Sequence, residues 1–183
     1  SGMATPMALL GTAATAATFK LAQFGANIER QKSFIRVFAE NAGSSSDEIS
    51  ALIDEASRLG STTAFTETQV LDAAKNLITL GASADEAKVS LASIISVAGG
   101  TGTDILSSAE AIQKASTVFG ESIPAVSDVF TGLTIISAAN VGRLSEALKS
   151  AAPSAAALNI SLEETGSALA LLIDSGLRSE TAG

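Results

Sequence analysis

Cysteine and histidine are absent from the 183 residues, and so are tryptophan and tyrosine. Without cysteine there is no disulfide framework and no thiol nucleophile, and without either residue the usual zinc ligand sets are missing. The common nucleophilic triads lose their base along with histidine. Seven phenylalanines make up the whole 4% aromatic content, although 46% of the chain is apolar. A core must therefore be assembled from alanine, leucine, isoleucine and valine, with close contacts between helices. Basic residues are scarce, 11 against 19 acids, for a net charge of −8. That deficit argues against non-specific binding to nucleic acid, which needs bases to replace counterions on phosphates. It also argues against an anionic membrane surface as partner of the whole chain. The most apolar window before Lys20 is Met7 to Phe19, short of the roughly 20 apolar residues that a membrane helix needs. The N-terminus lacks the basic region of a signal peptide, and Ser1-Gly2 before Met3 reads as a tag cleavage scar.

What the chain does contain is helix punctuation. Stop signals recur at Gly43, Gly60, Gly81, Gly99-Gly100, Gly120, Asn140 to Gly142, Asn159 and Gly176. Between them apolar residues follow a helical period rather than strand alternation. Start signals fall just after the stops: Ser45…Glu48, Thr66…Gln69, Ser83…Glu86 and Ser161…Glu164 all fit the capping box, in which a hydroxyl and a carboxyl or amide each accept a backbone N–H of the first turn. Acids crowd the first turns and bases tend to come later, as the helix dipole favours. The pattern predicts an all-α fold of about eight helices, at 8–42, 46–59, 67–80, 84–98, 104–119, 124–138, 143–157 and 162–175. Short connections make neighbours antiparallel. Spacing of about 20 residues hints at stacked helix pairs, but the side-chain pattern does not clearly repeat. Pro153 falls inside the seventh helix, where it is expected to kink or break the second half. Leu162 and Leu171 are expected in the core.

The first helix differs from the rest. Leu10, Ala13 or Ala14, Ala17, Leu21, Phe24, Ile28, Gln31, Ile35 and Phe38 keep a 3-4 spacing, the seam of a coiled coil. At 1.5 Å per residue the helix is roughly 50 Å long. It either packs along its own domain, or protrudes and self-associates through residues 8–42. Charge separates it as well: residues 1–42 carry four bases against two acids, and the remainder carries seven against 17. A basic helix of this kind can lie on an acidic body, its own or a neighbour's.

No residue demands a particular chemistry. Gly99-Gly100-Thr101-Gly102-Thr103-Asp104 follows a helix rather than a strand and lacks the lysine of a phosphate loop. It reads as a flexible helix junction capped by Thr103 or Asp104. The adjacent acids Glu163-Glu164 and Asp85-Glu86 point apart on a helix, and the chain lacks the aromatic platforms that accompany glycosidase carboxylates. Asp47-Glu48 and Asp54-Glu55 lack the alternating acids and central glycine of a calcium loop. All four pairs are explained as acids that suit the helix dipole. Phe65, in the polar stretch Thr62 to Thr66, is expected to pack under its loop. No catalytic, cofactor-binding or metal-binding residue is assigned, and no cofactor.

With the helices placed, an ordered set of phrases stands out. It runs through Leu59 to Thr66, Gly81 to Ala87, Ala98 to Thr101 with Asp104, Phe119-Gly120, Leu144 to Lys149 with Ala152-Pro153, and Leu158 to Thr165 with Asp174-Ser175-Gly176. This set, over about residues 34–183, resembles the conserved helical core region of bacteriophage tail tape measure proteins. The chain departs from the family in a shorter junction at Asn140 to Arg143 and in an additional Thr-Gly in the glycine loop.

The resemblance implies a structural fragment of a phage or prophage tail, acting in tail assembly and tail-length determination, with no enzymatic activity. It would be made in the host bacterial cytoplasm and located in the virion tail. It implies the tail tube and tail-assembly chaperone proteins as partners, with neither nucleic acid nor a small-molecule substrate. The expected organisation is a tag scar at 1–2, a long N-terminal helix at 3–42 and a compact helical core at 43–183. That core is expected to be truncated at its C-terminal end, since Ser179…Ala182-Gly183 resembles the opening of a further phrase. Alternative readings are a bacterial helical interaction scaffold or a membrane-active helical segment, with a peptidoglycan hydrolase a distant fourth.

Overall fold

The computed structural model describes the backbone of residues 7–176, and the side chains from Thr18 on except that of Phe19. Eight helices account for the ordered structure, with no strand among the described residues: α1 (Met7–Asn41), α2 (Ser46–Thr62), α3 (Glu67–Thr79), α4 (Ala84–Thr101), α5 (Ile105–Phe119), α6 (Ile123–Ile136), α7 (Val141–Ala157) and α8 (Leu162–Asp174). The four expected capping boxes all form, at Ser45, Thr66, Ser83 and Ser161. Each satisfies first-turn N–H groups that would otherwise need water, a contribution of about 1 kcal/mol per cap. Asp104 caps α5 by accepting from Ser107 N. At the other ends, Gly43, Gly81, Gly120 and Gly176 take positive φ, and Asn159 (φ 56°) closes α7 as a left-handed residue.

The helices stack in two layers. Odd-numbered helices pack in the order α1, α3, α5, α7 and even-numbered ones in the order α2, α4, α6, α8, each helix also packing on its partner in the other layer. A short turn reverses the chain after each helix, so sequence neighbours cross between layers while next-but-one neighbours share a layer. One hydrophobic core runs between the layers. Its fully buried side chains include Ile35, Leu52, Leu71, Leu77, Leu91, Ile94, Ile112, Leu144 and Leu162, with many alanines between them. Among the described side chains Phe130 is the phenylalanine that is fully buried, and Phe65 and Phe119 pack against the edge of the core. Two long-range polar ties brace the turns: Ala84 N donates to Ser44 Oγ at 3.0 Å, and Ala138 N donates to Asp174 Oδ1 at 2.8 Å.

Several expectations are corrected. Gly60 does not stop α2, which continues to Thr62; a Cβ at Gly60 would lie 2.4 Å from Glu67 Cα, so glycine is there to let the start of α3 cross closely. The real end is made by Ser61, Thr62 and Thr63, whose hydroxyls donate to the carbonyls of Arg58 and Leu59. Gly99 and Gly100 lie inside α4, and Gly102 (φ 65°) is the residue that closes it. Asn140 opens a helix instead of ending one: its Oδ1 accepts from Arg143 N at 2.9 Å, placing Gly142 inside α7. Pro153 does not break α7, which runs on to Ala157. It lies in the last turns, where the Lys149 carbonyl loses one donor at a solvent-facing position. Leu171 is 69% exposed while Leu162 is fully buried, because the buried face of α8 runs through Leu162, Thr165, Gly166, Leu169, Ala170 and Ile173.

The seam of α1 is divided rather than uniform. Ile28, Ile35 and Ala39 are buried, and α1 packs on α3 and α2. Leu21 and Phe24, on the same stripe two turns and one turn before Ile28, are 70% and 51% exposed. Gln31 is not a buried seam residue but donates to Asp72 Oδ1 at 2.7 Å. The side chains of Leu10, Ala13, Ala14 and Ala17, the scar at Ser1-Gly2 and the phrase from Ser179 lie outside the described residues.

Candidate interaction surfaces

Two charged contacts hold α1 on the body. Lys32 Nζ lies 2.9 Å from Glu67 Oε1, and the Ser57 hydroxyl donates to the same oxygen at 2.6 Å. The Ser57 bond, with Lys32 adding to it, holds the Glu67 carboxyl below the usual carboxylate range. A turn further on, Asp72 Oδ1 accepts from Gln31 and from Lys75 at 3.2 Å. Lys75 Nζ also sits 5.6 Å from the Phe34 ring centroid, and Phe34 stacks on Phe38 with centroids 4.0 Å apart. The basic helix therefore does meet acids of its own body, as the charge division suggested, and does so through α3. Lys20 and Arg30, further up α1, are exposed, and Lys20, Gln23, Phe24, Asn27 and Arg30 line an open face there.

The acidic pairs are scattered by the fold. Glu48, Glu86 and Glu164 are each taken up by their capping boxes. Asp85 pairs with Lys88 at 3.2 Å, and Glu55 pairs with Arg58, whose guanidinium holds its carboxyl low. Among the described residues no three acids come together as a metal-binding group. The glycine stretch is helix and cap, and a side chain at Gly99 would come into ordinary contact with the Phe65 ring, which packs against the core. Phe65 thus plugs its loop as expected. Among the described residues no single helix is long and apolar enough to cross a membrane; α6 and α7 reach that hydropathy only as a pair bent by 116°.

Two of the grooves between helices carry lysine or glutamate at their edges. One, of about 230 Å³ between α5 and α7, has an alanine-rich floor with Val118, Leu148 and Pro153, flanked by Lys114 and Lys149. Both lysines pair with a glutamate on their own helix, Glu110 and Glu146. The other, of about 530 Å³, lies where the α3–α4 turn and α4 face the end of α5 and the α5–α6 turn. It brings Asp85 and Glu86 to the same rim as Glu121, a residue that no sequence pattern singled out. Burial, with Glu163 of α8 adding to it, pushes the Glu121 carboxyl up. A cap-sized acid in a turn carries no periodic signal, so only the packing of α5 against α3 and α4 reveals it.

A layered stack of short, well-capped helices with open grooves and a half-covered basic helix defines an all-helical scaffold. The sequence model of the phage-related minor tail protein family matches residues 53–183. The Tape measure protein of Pneumococcus phage Dp-1 is 28% identical over 185 residues, covering 100% of this chain and 16% of that protein. No solved structure matches. In class, this scaffold is a structural component of a phage tail. The chain belongs to the phage-related minor tail protein family, and it is similar to a tape measure protein, of whose length it spans about one sixth.

Proposed function

We propose that this segment is an assembly or docking domain within a longer tail tape measure protein, serving tail assembly and the setting of tail length without being the ruler itself. The observation that carries this reading is the fold. A ruler needs length proportional to residue number, about 1.5 Å per residue in a continuous helix. This chain instead folds back seven times into two layers around one core. Other tail components, the tail tube and the tail-assembly chaperone among them, are the partners that such a scaffold suits, and the virion tail is its location after synthesis in the host cytoplasm. Residues 8–42 serve self-association, because the Leu21–Phe24 end of the seam is left uncovered. Nucleic acid, small-molecule substrates and catalytic turnover have no part in this reading, in keeping with the acidic charge and the lack of histidine and cysteine.

The test is an in-frame deletion of α3 and α4, residues 67–101, from the parent protein. Removing this pair takes out Leu71, Leu77, Leu91 and Ile94 and exposes core on both sides. Tail assembly should abort. Viable phage with tails shortened in proportion to the deletion would overturn the proposal.

A further inference from the structure

The 530 Å³ groove has an unmatched chemistry. Its floor is apolar and open: Leu80, capping α3, is 44% exposed and Val89 on α4 is 54% exposed. Its rim is acidic, with Asp85, Glu86 and Glu121. Glu86 Oε2 is engaged by Ser83 N and Oγ, and Asp85 by Lys88. Glu121 is different: among the described residues no base neighbours it, and the charge it feels is another acid, Glu163. Gln113 lines the same groove, and its Oε1 is buried without a hydrogen-bond donor. That oxygen is closed to solvent, so the acceptor the groove presents to a partner is Glu121.

An acid without a basic neighbour, set beside exposed aliphatic side chains, is complemented by a cation on an aliphatic stem. We propose that this groove docks an arginine or lysine side chain from a basic segment of a partner protein. Its methylenes lie on Leu80 and Val89, and its N–H groups reach Glu121. A bare metal ion makes no use of the apolar floor, and nucleic acid is repelled by the rim. The site goes beyond the tail-assembly reading and does not depend on it.

The test is a titration of the isotopically labelled chain, followed by amide chemical shifts, with a peptide of about a dozen residues that alternates arginine and alanine. A peptide with glutamate in place of arginine is the control. The arginine peptide should give saturable shifts within residues 80–90 and 113–124, and the glutamate peptide none. Glu121→Gln should weaken binding about fivefold, the upper end for a partly exposed ion pair, without lowering the melting temperature, since Glu121 has no basic partner among the described residues. Asp54→Asn, remote on α2, should leave affinity unchanged. The proposal fails if the shifts do not saturate or fall elsewhere, if Glu121→Gln binds like the parent, or if Asp54→Asn weakens binding equally. It also fails if millimolar magnesium alone reproduces the shifts, which would make this a simple cation site. Concentration-dependent shifts of the same residues without peptide, abolished in Glu121→Gln, would assign the groove to a second copy, whose exposed Lys20 and Arg30 are the rival occupants.

Discussion

Gly60 and Gly132 are both helical glycines, yet replacing each with alanine should move stability in opposite directions. Alanine gains roughly 0.5–1 kcal/mol over glycine in a helix from backbone entropy. At Gly132, in the second half of α6, nothing lies within 4 Å of the new Cβ. The gain is realised there, and the melting temperature should rise by about 1–4 °C for a domain of this size. At Gly60 the new Cβ would stand 2.4 Å from Glu67 Cα and 2.6 Å from Glu67 N. Those atoms belong to the main chain of the first turn of α3, so no rotamer change relieves the clash. The turn must move by about an ångström, an overpacking cost of about 1–3 kcal/mol. It also carries Glu67 away from Lys32 and Ser57, which hold α1 in place. Net of the helical gain, Gly60→Ala should destabilise by about 1–2 kcal/mol, and the melting temperature should fall by about 2–8 °C. Differential scanning calorimetry on both variants makes the comparison, and hydrogen exchange should show faster opening of residues 28–39 in Gly60→Ala alone. A rise in melting temperature for Gly60→Ala matching that of Gly132→Ala would refute the close crossing of α2 and α3.

Two further outcomes concern α1. Because the folded state holds the Glu67 carboxyl low, through Ser57 and then Lys32, its contribution is fully present above the ordinary glutamate range. It is lost as pH falls through the folded-state value. Acid titration should therefore loosen α1 before the rest, and Glu67→Gln, which keeps an acceptor for Ser57, should flatten that part of the pH-stability curve; an unchanged curve would count against the contact. A chain lacking residues 1–26 should remain folded, because Ile28, Ile35 and Ala39 still seat the helix, and light scattering should show less self-association than for the full chain. Monomers in both cases would remove self-association from the role of residues 8–42.

The sequence alone determined the helices. Caps, boxes and left-handed closures act over about four residues, so Ser45, Thr66, Ser83, Asp104, Asn159 and Ser161 announce themselves without any knowledge of the fold. Membership of the tail family was legible for a similar reason, since those local phrases keep their order along the chain. Tertiary packing decided what a helix does once formed. Gly60 looks like a stop in the sequence, but a glycine in a close helix crossing has the same local signature as one that ends a helix. Leu171 and Leu162 are alike as residues, and only the seating of α8 on α6 and α7 separates a surface position from a core one. The two-layer order, the division of α1 into a docked and an uncovered half, and the meeting of Glu121 with Asp85 and Glu86 across the α4–α5 region depend on contacts between segments tens of residues apart. Those contacts are set by which small side chains allow two helices to approach, a matter of shape that no local spacing in the chain records.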